Sequence, residues 1–121
     1  MPITQEQKDF STWVVDMLQG MGPVRSKRMF GGFGIFLDEL MFGLIADNEL
    51  YFKVDDENRA EFEEHDLMPF TYVKADREMK LSYYQAPAEA LDNMEIMLEW
   101  GNRGFAAAVR AASGKRKAKG Q

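Results

Sequence analysis

Cysteine is absent from this 121-residue chain, histidine occurs once, and no apolar run approaches the roughly 18 residues that a membrane-spanning helix needs. The first absence excludes disulfide scaffolds, cysteine-based zinc sites and thiol catalysis. The second leaves His65 as the one imidazole. At the end of a short polar helix it reads as a surface residue, and a zinc site there would need at least three carboxylates beside it. Ser11, Ser26, Ser82 and Ser113 lack the sequence context of a nucleophile elbow. The N-terminus has neither the basic segment nor the apolar core of a signal peptide, so a cytoplasmic location is expected. No catalytic, cofactor-binding or metal-ligating set emerges.

Basic charge is scarce and unevenly placed. Residues 1–112 hold 11 Lys and Arg against 20 Asp and Glu, a net of −9, whereas residues 113–121 add Lys115, Arg116, Lys117 and Lys119 with no acid. An acidic body repels phosphate backbones, so nucleic-acid contact is expected to be weak and salt-sensitive. Its candidates are the four tail cations together with Arg25, Lys27 and Arg28. Three cations in four residues are more often a solvated strand edge that discourages edge-to-edge pairing. The eleven acids from Asp38 to Asp66 fit no calcium loop and read as a solvated face.

What is abundant is apolar material: 45% of residues are hydrophobic and 12% aromatic, too rich for disorder. One α+β domain over residues 1–112 is expected, followed by a disordered basic tail over 113–121. Thr4 and Gln7 have capping-box spacing, and Phe10, Trp13, Val14, Met17 and Leu18 mark the core-packing face of a first helix that stops at Gly20 to Pro23. A short opening strand is expected in Val24 to Phe30. From Arg28 to Val54 the chain reads as an antiparallel three-strand meander whose apolar runs are broken by Asp38-Glu39 and Asp47-Asn48.

A two-residue first turn pairs Phe36 with Met41, Ile35 with Phe42 and Gly34 with Gly43. Both sheet faces are then apolar, one with Phe33, Ile35, Leu37, Leu40, Phe42 and Leu44, the other with Phe36, Met41 and Ile45. Leu50, Phe52 and Val54 join the second face if the next turn also has two residues, and the first face if it has three; both registers stay open. The second face, with Phe36, Met41, Ile45 and the facing glycines Gly34 and Gly43, is the candidate interface, most simply of a homodimer. A short helix capped by Asp55 or Asp56 follows, then strands at Pro69 to Val73 and Lys80 to Tyr84, making about five strands. Pro87 opens another turn of helix, and Asp92 caps a long C-terminal helix in which Gly101 and Gly104 mark a bend or a close approach. Gly31 to Gly34 is no phosphate loop, because it enters a strand rather than a helix.

The ordered series Arg28 to Phe36 with Met41-Phe42, then Leu50 to Asp55, Pro69 to Tyr72, Leu81 to Tyr84 and Pro87 to Asp92, resembles the N-terminal domain of the TfoX family. The resemblance implies a two-layer α+β fold with helices flanking an antiparallel sheet, similar to type III secretion chaperones. It also implies a non-enzymatic regulatory module connected with bacterial competence for DNA uptake. The full-length regulator acts with the cyclic-AMP receptor protein, so a protein partner in the transcription machinery, or a regulator, is expected, with no cofactor. Nucleic-acid binding through the basic tail, or an unrecognised ligand or enzyme site, are the alternative readings. Relatives place glycine in the two hairpin turns where this chain has Glu39 and Asn48; because Glu39 disfavours positive φ, a turn other than the tight mirror-image type is expected there.

Overall fold

The structure, a computed structural model, describes residues 4–29 and 31–119. Helix α1 (Gln5–Leu18) starts on the expected capping box: Thr4 Oγ1 accepts from the Gln7 amide at 3.1 Å, and Gln7 Oε1 accepts from the Thr4 amide at 2.8 Å. A single 3-10 turn, Gln19–Met21, ends it. There the Gln19 amide side chain donates to the Val15 and Val24 carbonyls, tying the end of α1 to the chain entering the sheet.

Six strands form one antiparallel sheet: β1 (Arg25–Met29), β2 (Gly32–Leu37), β3 (Leu40–Ala46), β4 (Glu49–Lys53), β5 (Pro69–Lys74) and β6 (Arg77–Gln85). Their spatial order is β1-β2-β3-β4-β6-β5. The α+β class stands, and the opening strand brings the count to six. Phe30, placed in that strand on sequence grounds, lies outside the described residues.

Three hairpins close on two-residue turns with both residues at positive φ: Asp38 and Glu39 at 51° and 65°, Asp47 and Asn48 at 50° and 61°, Ala75 and Asp76 at 53° and 64°. The first turn is therefore the tight mirror-image type after all. The right-handed twist of the flanking strands favours that geometry over its mirror, and the hairpin overrides the local preference of Glu39.

The register corrects one expectation with wide consequences. Phe36 pairs with Met41 as expected, but a bulge follows, so that Ile35 faces Gly43, Gly34 faces Leu44 and Phe33 faces Ile45. Gly34 and Gly43 do not face each other. The extra residue, Phe42, reverses the alternation of β3 and of the strands registered on it. The second turn has two residues, with Ala46 opposite Glu49, so Ile45, Leu50 and Phe52 do share a face. It is, however, the face of Phe33, Ile35 and Leu37.

On that face lie α1, α2 (Arg59–Glu64) and α3 (Met94–Lys119), and between them the core. Phe42, Phe52 and Phe62 are fully buried, each contributing roughly 1.5 to 3 kcal/mol by burial. Phe42 stacks with Phe52 and meets the edge of Phe105, while Phe62 packs against Trp100 and Tyr84. Gly104 marks a close approach of α3 to the sheet: a Cβ there would stand 2.9 Å from the Phe42 carbonyl oxygen and 3.1 Å from Phe52 Cβ. Gly101 likewise lets α3 rest on Leu18 and Met21.

Trp13, expected among the residues of the α1 core face, is 55% exposed. Ser11, Val14, Met17 and Leu18 are the buried residues of that helix, and Phe10 is half-buried. The Trp13 indole instead lies across to the 3-10 turn Ala88–Leu91, its Nε1–H donating to the Leu91 carbonyl at 3.1 Å. Neither expected aspartate cap forms as drawn. Asn93 rather than Asp92 caps α3, accepting from the Ile96 amide, and Asp55 organises the loop before α2. The basic segment expected to be disordered continues α3 as helix to Lys119; Gly120 and Gln121 lie outside the described residues.

Candidate interaction face

Among the described residues no helix covers the opposite sheet face. Following register from strand to strand, this open face carries Met29, Gly34, Phe36, Met41, Leu44, Tyr51 and Tyr83, with Arg25, Lys27 and Lys53 among them. Phe70 continues the surface onto β5, its ring 5.0 Å from Tyr51 and edge-on, and Tyr72 stacks on Phe70 at 6.1 Å. Tyr72 is exposed, while Phe36, Met41, Tyr51 and Phe70 are half-buried.

Of the five candidate interface residues, the structure brings three together here: Phe36, Met41 and Gly34. Gly34 is no open flat spot, since the sulfurs of Met29 and Met41 and the ring of Phe36 close over it. Gly43 and Ile45 belong to the helix-covered face, Gly43 against Phe52 and Ile45 buried in the core. The bulge is the physical reason, because it moves them across the sheet and sends Leu44 the other way.

Cations frame the aromatics. The Arg25 guanidinium sits 5.1 Å above the Phe36 ring centroid and pairs with the exposed Glu39 at 3.2 Å; Lys53 Nζ sits 5.2 Å from the Tyr83 centroid. Tyr83 itself is buried, and burial pushes its hydroxyl up to about 12. Burial also raises Tyr51, helped by the negative charges of Glu49 and Asp47. Both phenols are therefore neutral hydrogen-bonding groups at physiological pH rather than acids or bases. Of the residues flagged for nucleic-acid contact, Arg25 and Lys27 lie on this face, and Arg28 points to the other side of the same edge strand. Lys115, Arg116, Lys117 and Lys119 lie on the last turns of α3, away from β1 in sequence.

A second polar assembly joins α2 to α3. Asp55 accepts two hydrogen bonds from Arg110, at 2.6 and 2.8 Å, and also caps the Glu57 and Asn58 amides. The hydrogen bonds from Arg110 hold its carboxyl below the usual aspartate range. Asn58, 3% exposed, donates to the carbonyls of Lys53 and Arg103 and accepts from the Asp55 amide. Arg103 lies 4.5 Å over Trp100, bonded to Glu61 at 2.6 Å, and meets Glu99 at 3.2 Å as a charge contact. A shallow cleft of about 490 Å³ lies among these groups. Its arginines are paired with Asp55, Glu57, Glu61 and Glu99, with the buried Arg103 Nη1 in charge contact but not hydrogen-bonded, so the assembly works as a clamp between elements. His65 is exposed on the end of α2, edge-on to Trp100 at 5.0 Å with Nδ1 near the Glu61 carbonyl. Among the described residues no group of three or more His, Asp and Glu is placed to hold a metal, and no helix is long and apolar enough to cross a membrane.

Sequence reasoning missed Tyr51, Phe70 and Tyr72 as parts of this face, and missed the clamp. The alternation in Phe70, Thr71 and Tyr72 was the available signal for the former. The chain is 22% identical over 98 residues to Protein Sxy of Escherichia coli, covering 81% of this chain and 47% of that protein. It is 32% identical over 69 residues to DNA transformation protein TfoX1 of Aliivibrio fischeri, covering 57% and 33%. The chain thus spans less than half the length of these relatives. The model of the TfoX N-terminal domain matches residues 16–108, from the second half of α1 through most of α3. That span contains the whole sheet and both of its faces, and the chain belongs to the TfoX N-terminal domain family.

Proposed function

We propose that this domain is a non-catalytic regulatory module of the cytoplasm, acting in the transcriptional control of competence through a protein partner that docks on the open face of the sheet. The observation that carries the reading is one-sided cover: all three helices pack on one face, and the other presents Phe36, Met41, Tyr51, Phe70 and Tyr72 beside cations. Aromatic and methionine side chains supply large contact area at low entropic cost and adapt to a partner's shape, and arginine is enriched in such patches. The distant relatedness to a protein named for DNA transformation supports the regulatory setting.

Transcript profiling of the source bacterium with the gene deleted tests the proposal, with complementation by the unmodified protein and by Tyr72→Glu. Tyr72 is exposed, so a charge there should leave the fold intact and should fail to restore the altered transcripts. Deletion without effect on transcripts of DNA-uptake genes refutes the regulatory reading. Full complementation by Tyr72→Glu refutes the docking face.

A further inference from the structure

Strand β1 is an edge of the sheet, paired with β2 alone, and its residues are exposed apart from the half-buried Met29. Flanking backbone groups are occupied: the Val24 amide donates to the Gly22 carbonyl and the Val24 carbonyl accepts from Gln19. Beyond Val24, no hydrogen bond from a loop or side chain among the described residues reaches the outward row of β1 amides and carbonyls. Such a row is a template for another strand.

The side chains on this template are one-signed. Arg25, Ser26, Lys27 and Arg28 include three cations and no acid, on a body whose net charge is −9. Elsewhere Arg59, Arg103 and Arg110 are each held by carboxylates. On β1 only Arg25 has such a partner, the 85% exposed Glu39, and among the described residues Lys27 and Arg28 have none within ion-pair distance. A second copy of β1 is a poor occupant, because two such strands side by side would set cations against cations. An acidic strand answers every part of the pattern, supplying backbone partners to the edge and carboxylates opposite Arg25 and Lys27 on one face and Arg28 on the other.

We propose that β1 is a strand-addition site for an extended acidic segment of a partner protein, about five residues long. This deepens the reading above and rests on its protein partner. It also names the chemistry by which that partner is selected: the cations refuse basic strands and self-pairing, and the backbone row fixes register. The body's negative field works against a long polyanion, whereas a segment of about 17 Å lies wholly on the edge strand.

Titrating 15N-labelled protein with a seven-residue peptide of alternating Glu and Val tests this. Amide shifts should concentrate on residues 25–29, and rising salt should weaken binding. Lys27→Glu should weaken it at least tenfold and Lys27→Gln less, with the spectrum elsewhere unchanged. Alternating Lys and Val should not bind. The Glu peptide N-methylated at every second amide should fail in at least one of the two phases, since it keeps its charge but loses an edge. Equal binding of both methylated phases, or shifts away from β1, overturns the proposal. So does a single-stranded oligonucleotide that binds these residues more tightly than the Glu peptide, which would assign the cations to nucleic acid. Tyr72→Glu should leave peptide binding unchanged, so failure of the edge site and failure of the docking face are read separately.

Discussion

The two faces of one sheet differ in what their apolar residues are for. On the helix-covered face Phe42, Phe52, Ile35 and Leu50 meet no solvent to speak of, and even glycine is needed where α3 comes down. On the open face Leu44 and Tyr83 are buried, but Phe36, Met41, Tyr51 and Phe70 are left half-exposed, and arginine and lysine lie against the rings. Hydrophobicity alone therefore does not distinguish a core from a contact surface; what separates them is a covering layer.

The comparison is broken most sharply at its covered side. Phe52→Ala should cost about 3 to 5 kcal/mol, removing a buried ring that touches Phe42 and lies beneath α3, and urea unfolding measures it. Gly104→Ala should cost about 1 to 3 kcal/mol despite alanine's better helix propensity, because the added carbon meets the backbone of β3 and β4. A denaturation midpoint at or above the parent's would show that α3 can lift off the sheet.

Smaller effects come from the clamp and from α1. Arg110→Ala should cost about 1 to 2 kcal/mol at neutral pH by freeing Asp55. Asp55 titrates lower when folded than when unfolded, so its contribution is full above the ordinary aspartate value of about 4 and disappears as pH falls through the depressed folded value. The gap between variant and parent should accordingly close in acid, and a gap that persists unchanged throughout the acid range would assign the loss to packing. Trp13→Ala should cost about 1 kcal/mol, far less than a buried tryptophan, since it mainly loses the bond to Leu91 and partial contact.

On the open side, Met41→Glu should move stability by less than about 1 kcal/mol if the half-exposed side chain reaches water. Sedimentation of parent and variant then separates a self-paired face from one awaiting a different protein. A parent dimer that Met41→Glu dissociates into folded monomers assigns the face to a second copy; a monomeric parent leaves it to another partner.

Much of this architecture was legible in the chain. The capping box at Thr4 and Gln7, the polar pairs at both meander turns and the close approach at Gly104 are local signals with local causes. The bulge was not legible, and the reason is specific. Leu40 to Ile45 reads Leu-Met-Phe-Gly-Leu-Ile, apolar or small throughout, so slipping the alternation by one leaves the pattern looking the same. Misassigning Gly43 and Ile45 to the open face followed directly. Trp13 fits helical spacing equally well whether it lies in the core or beside it, and only the position of residues 88–91 decides. Asp55 and Arg110 are separated by 55 residues, and nothing in either neighbourhood announces the other.

The extra residue at Phe42 is slack in the ladder. Its deletion would close the bulge and leave Gly43, Leu44 and Ile45 opposite Ile35, Gly34 and Phe33, so the faces downstream would stand and the loss would be that of a buried ring. A one-residue loss inside β4, whose pairing with β3 has no bulge, finds no such slack and turns the residues beyond it to the other face. Length variation among related chains should therefore be tolerated at the bulge and avoided in β4.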